Sequence, residues 1–153
     1  MFFDLAQVIL QDGMVNLAND VAESQAKKGL KASGASAASL RPETTADGNS
    51  LSGKLYGSVT FTWQQNGRKP NKSGKPSRAL VEGIEAWMKW RGMSGSPWGI
   101  ATNIAKYGIT VPNANNPGGV LSEPLAIERV KAILKPRLKE AIFKELKSTL
   151  FTP

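Results

Sequence analysis

Residues 51–63, Leu-Ser-Gly-Lys-Leu-Tyr-Gly-Ser-Val-Thr-Phe-Thr-Trp, alternate between two kinds of position. Leu51, Leu55, Val59, Phe61 and Trp63 fall on one side with Gly53 and Gly57; Ser52, Lys54, Tyr56, Ser58, Thr60 and Thr62 fall on the other. A period of two over this length predicts a strand of an antiparallel sheet, with one face buried and one wet. Glycines on the buried side predict close approach of another element or a bulge. The first helix is the candidate for that approach.

Helical periodicity flanks the strand. Residues 4–28 place Leu5, Val8, Ile9, Val15, Leu17, Ala18, Val21 and Ala22 on one broad apolar stripe, with Asp4 at its start and Gly29 at its stop. Gly13 inside it costs about 1 kcal/mol against Ala and marks a point of bending. Residues 77–91 read as a helix capped by Ser77 and ended by Gly92, with Leu80, Val81, Ile84, Trp87 and Met88 on its apolar face. Trp90 falls off that face, which makes it the candidate interface aromatic. Residues 96–107 form a shorter helix with Ser96 as cap, Pro97 in the first turn, Ile100, Ile104 and Tyr107 on its face, and Gly108 as stop. Residues 122–149 form the last helix, with Ser122 as cap and Pro124 in its first turn. Pro136 lies where it removes a backbone donor and kinks the helix. Its stripe runs from Leu125 through Val130, Ile133, Leu134, Leu138, Ala141 and Ile142 to Leu146, and Phe143 and Phe151 lie off it. So long a helix in so small a chain is expected to reach a neighbour. Two segments, 31–50 and 112–121, are rich in small and turn-forming residues and are expected as flexible loops. The first is expected to hold a helical turn near 35–40 and a turn or short edge strand around Thr44.

A length of 153 residues with 41% apolar content gives one domain, 1–153, with a real core. The chain has neither Cys nor His, which removes disulfides, thiolate nucleophiles, the usual triads and most zinc sites. The acids are scattered, so neither a carboxylate metal site nor an acid–base pair is expected; Glu82 and Glu85 read as a solvated face. No apolar run approaches the roughly 18–20 residues needed to span a bilayer. The Met1-Phe-Phe-Asp4 start lacks a basic region and does not read as an export signal. No catalytic residue, metal, cofactor, membrane contact or small-molecule substrate is expected.

Charge is unevenly placed. Residues 1–50 carry four Lys and Arg against six Asp and Glu; residues 51–153 carry sixteen against six. The positive excess is densest in the loop 66–76 and at its exit, where Arg68, Lys69, Lys72, Lys75 and Arg78 meet no acid within the loop. Gly74-Lys75 does not make a phosphate loop, because Pro76 stands where a magnesium-binding hydroxyl belongs. Such asymmetry fits either of two readings, simple solubility or a basic face that meets an acidic partner, nucleic acid or protein.

The elements also come in a telling order. After the first helix stands Ala32-Ser-Gly-Ala-Ser-Ala-Ala-Ser-Leu40. A strand then leads to Gly67-Arg-Lys-Pro70. Ile84-Glu-Ala-Trp-Met-Lys-Trp-Arg-Gly-Met93 follows, then Ile104-Ala-Lys-Tyr-Gly-Ile109 and a long final helix. This ordered set resembles the neck or tail-completion proteins of long-tailed bacteriophages, the minor proteins of the head–tail joining region. The small-residue segment departs from the family pattern, with Ala35 where a basic residue is usual.

The resemblance implies an α+β fold: a small antiparallel β-sheet with long N- and C-terminal helices and two shorter helices packed on one face. It implies a structural virion protein without enzymatic activity, made in the host cytoplasm and built into the head–tail junction as one subunit of a homo-oligomer ring around the DNA channel. Its implied partners are other copies, other neck, portal-side and tail proteins, and DNA through sequence-independent contact. The docking loop would comprise Gly67, Arg68, Lys69, Pro70, Lys72, Lys75 and Arg78, with Trp90 as a further interface residue. A competing expectation is a free, sequence-nonspecific nucleic-acid-binding domain that uses the 66–78 loop and the C-terminal helix, with tryptophans as stacking groups.

Overall fold

The computed structural model describes residues 4–48 and 50–151. The fold is α+β. In chain order it has α1 (Asp4–Lys27), α2 (Ala35–Ala38), β1 (Arg41–Asp47), β2 (Ser50–Tyr56), α3 (Thr60–Asn66), α4 (Arg78–Arg91), α5 (Pro97–Tyr107) and α6 (Ile127–Phe151). The reading of Met1-Phe-Phe lies outside the described residues, as does Asn49 beside the Asp47-Gly48 turn.

β1 and β2 form an antiparallel hairpin, from Arg41 opposite Tyr56 to Asp47 opposite Ser50. Its inward side carries Leu51 and Leu55, which pack on Leu10, Met14 and Leu17 of α1. Gly53 lets the helix come that close: a Cβ there would stand 2.8 Å from Met14 Sδ. The close approach anticipated from the strand glycines is therefore the packing of α1 on the hairpin.

The strand is shorter than its alternation implies. It ends at Tyr56, and residues 60–66 turn into α3. Phe61 is buried, but Val59 and Trp63, expected on the same inward face, are 56% and 39% exposed. Five residues fit either period, and side chains further along decide between them. Gln25, 1% exposed on α1, donates to Ser36 Oγ at 2.9 Å and to Gln64 Oε1 at 2.8 Å. Gln64 Nε2 donates to the Leu30 carbonyl, while Gln65 Oε1 accepts from the Leu121 and Ser122 amides. Partly buried amides bonded on both sides hold α3 between α1 and the 112–122 segment.

α1 and α6 lie antiparallel, with Asp12 near Arg137 and Asp20 bonded to Arg129. Gly13 is an inter-helix contact and not merely a weak helix former, since a Cβ there would strike the Leu134 side chain. The buried stripe of α1 runs through Ala6, Leu10, Met14, Leu17, Ala18 and Val21. Val8 and Val15, expected on it, lie outside at 58% and 40% exposure. They occupy the opposite side of the 3.6-residue turn from Leu10 and Met14.

One further expectation changes. Helix α6 begins at Ile127, not near Ser122. Gln65 takes the Leu121 and Ser122 amides, and Leu121 and Leu125 are drawn to the core around Phe61 and Val120, so this segment makes turns instead. In the 112–121 segment, Asn116 is buried, donates to the Gln64 carbonyl and accepts from the Gly118 amide. In the 31–50 segment, α2 and β1 stand where a helical turn and an edge strand are expected.

Candidate docking surfaces

Two helix ends build the basic loop. Gly67 closes α3 by donating to the Trp63 carbonyl, and Gly108 closes α5 by donating to the Ile104 carbonyl, each at 2.8 Å. Both have positive φ, 83° and 77°. The chains leaving these caps pair as a two-residue antiparallel bridge: the Arg68 amide donates to the Ile109 carbonyl at 2.9 Å, and the Ile109 amide returns the bond at 2.7 Å. A Cβ on Gly67 would strike the Ile109 carbonyl oxygen, and one on Gly108 the Arg68 carbonyl oxygen. Glycine is thus required twice, for conformation and for space.

Arg68 is turned inward on this clasp. Its guanidinium lies 4.8 Å from the centre of the Trp63 ring and donates to Asn71 Oδ1 at 2.8 Å. Asn71 is the hub of the loop: its amide donates to the Ala105 carbonyl and its side chain to the Lys75 carbonyl, both at 2.8 Å, while its own carbonyl accepts from Gly74. The bracing role of Arg68 explains why the loop keeps a defined shape with so little apolar content.

The remaining members of the expected docking loop divide. Gly67 and Pro70 belong to the clasp. Lys69, Lys72 and Lys75 are exposed and have no carboxylate partner among the described residues. Arg78 stands in the first turn of α4 and pairs with Glu82 at 2.8 Å, both side chains in solvent. Trp90 is 44% exposed on the outside of α4. Trp87 is half-buried and donates its indole N–H to the Gly29 carbonyl at 3.2 Å, which ties α4 to the end of α1. α4 and α5 have the expected caps, Ser77 and Gly92, then Ser96 and Gly108. Tyr107, expected on the inner face of α5, is 68% exposed, and the small residues Ala101 and Ala105 are buried instead.

A second surface lies along α6. Ala141 is its buried residue, and Val130, Ile133, Leu134 and Leu138 turn toward α1. The opposite side leaves Phe143, Leu146 and Leu150 exposed at 69%, 37% and 71%. Lys135, Lys139, Lys144 and Lys147 surround them without a carboxylate partner among the described residues. The sequence signal for this surface is Phe143, which lies off the stripe.

Among the described residues no group of three or more acids converges to hold a metal ion, and no helix is long and apolar enough to cross a membrane. Compared with known protein families, known proteins and solved structures, the chain matches none.

Proposed function

We propose that this chain is a non-enzymatic structural subunit of the head-to-tail connector of a long-tailed bacteriophage, one copy in a ring that surrounds the DNA channel. The observation that carries the reading is the ordered set of motifs that resembles neck and tail-completion proteins. The clasp adds support, because Gly67-Arg-Lys-Pro70 and the end of Ile104-Ala-Lys-Tyr-Gly-Ile109 meet in space through the bridge of Arg68 and Ile109. A ring subunit needs a rigid body and separate patches for separate neighbours. The clasped loop and the outer side of α6 are two such patches.

In this reading Lys69, Lys72 and Lys75 are the docking cations, meeting acidic surfaces of portal-side or tail proteins and setting register. Arg68 holds the loop in shape beneath them. The same lysines suit sequence-independent contact with phosphates in the channel. A free nucleic-acid-binding domain is less well supported. Trp63 already carries the Arg68 guanidinium on its ring and Trp87 is bonded into the body, so of the three exposed tryptophans, Trp63, Trp90 and Trp98, two have rings without such a contact.

Deleting the gene from the phage that carries it tests the proposal. Filled heads and finished tails should accumulate unjoined, and supplying the chain in trans should restore joining. Normal yields of joined particles without the chain would contradict it.

A further inference from the structure

The clasp between α3 and α5 gathers cations that lie far apart in the sequence. Beyond the bridge of Arg68 and Ile109, a Cβ on Gly108 would stand 3.1 Å from the Pro70 nitrogen. The Asn71 amide reaches the Ala105 carbonyl at 2.8 Å. These contacts bring the last turn of α5, with Lys106 and Tyr107, beside Lys69. Lys106 and Tyr107 are both exposed, and the Lys106 ammonium lies 5.2 Å from the centre of the Tyr107 ring. Asn71 also bonds the Lys75 carbonyl and the Gly74 amide, which fixes the turn that carries Lys72. Lys69, Lys72, Lys75 and Lys106 thus surround one clasp, and none has a carboxylate partner among the described residues. Acids are scarce around them. Residues 48–122 contain two, Glu82 and Glu85, both on α4, and Glu82 pairs with Arg78.

We propose that this clasp surface binds the phosphate backbone of double-stranded DNA, with Lys106 as a fourth contact beside the three loop lysines. Four lysines with no acid among them match a uniform row of negative charge. Protein interfaces instead deplete lysine and anchor on aromatic and arginine side chains. Here the arginines are occupied, Arg68 with Trp63 and Asn71, and Arg78 with Glu82. A lysine ammonium is a point charge on a flexible stem, so it meets phosphates without demanding a sequence or a fork geometry. Of the exposed rings at the clasp, Trp63 already carries the Arg68 guanidinium. That leaves Tyr107, 68% exposed, which alone cannot stack successive bases as single-strand binders do, so the duplex is favoured. The inference deepens the reading of the loop as a docking surface, and rests on that part of it alone.

Fluorescence anisotropy of the whole chain with a short mixed-sequence DNA duplex tests this. Four phosphate contacts predict a slope of about −3.6 for log K against log salt, and a loss of about a hundredfold between about 50 and 200 mM salt. Lys106→Ala, like Lys69→Ala, should reduce the steepness of that slope by about one. Lys54→Ala, at an exposed position of β2, should leave it unchanged. No binding at about 50 mM salt, or a Lys106→Ala variant with the parent's slope and affinity, would overturn the proposal. Displacement of the duplex by poly-glutamate at equal charge concentration would also overturn it, and would assign the surface to an acidic protein. If the chain binds no duplex yet is present in purified particles, this partner falls and the neck reading stands. If it binds as described yet is absent from particles, the DNA surface stands and the neck reading falls.

Discussion

At the scale of single residues, Arg68 shows how a charge placed in a basic loop can do structural work. Composition ranks it with Lys69, Lys72 and Lys75, yet its planar guanidinium covers Trp63 and bonds Asn71. An ammonium group cannot reproduce that pair of contacts. Arg68→Ala should therefore lower unfolding free energy by about 1–2 kcal/mol, and Arg68→Lys should recover little of it. Lys69→Ala, at an exposed site, should stay within about 0.5 kcal/mol of the parent. Urea denaturation of the three variants checks this, and equal effects at positions 68 and 69 would contradict the bracing role. The sequence could not separate these neighbours, because the difference lies in Asn71 and Trp63, which only the folded loop brings to the guanidinium.

At the scale of elements, what was legible in the chain was what local chemistry decides. Helices α4 and α5 start at Ser77 and Ser96 and stop at Gly92 and Gly108, because caps act on backbone groups within one turn. The close seat of α1 on Gly53 was legible for a similar reason, a missing side chain on an inward face. The end of β2, the existence of α3 and the late start of α6 were not legible. Each depends on Gln25, Gln64, Gln65 and Asn116 finding one another across long separations. The clasp between α3 and α5 belongs to the same class, although Gly67 and Gly108 each marked a helix end. Gly108→Ala forces a side chain into a positive-φ position and against the Arg68 carbonyl, so it should cost at least about 2 kcal/mol. Gly83→Ala, where nothing stands within 4 Å and the backbone is helical, should be neutral or stabilising by up to about 1 kcal/mol. Thermal melting of the pair separates clasp from general glycine effects; matched shifts would contradict the clasp.

At the scale of the whole molecule, charge and exposed apolar surface tell one story. The positive excess sits on the loop lysines and on the outer side of α6, while Asp12 and Asp20 of α1 are turned to Arg137 and Arg129 of α6. In the proposed ring, the loop lysines and the outer side of α6 are the surfaces offered to neighbours. The central claim is that the chain works as one ring of a particle. Quantitative mass spectrometry of purified phage particles, with copy number set against the portal protein, tests it most directly. The account predicts a fixed, small number of copies per particle, as one symmetric ring requires; absence from the particle, or a number that varies between preparations, would contradict it.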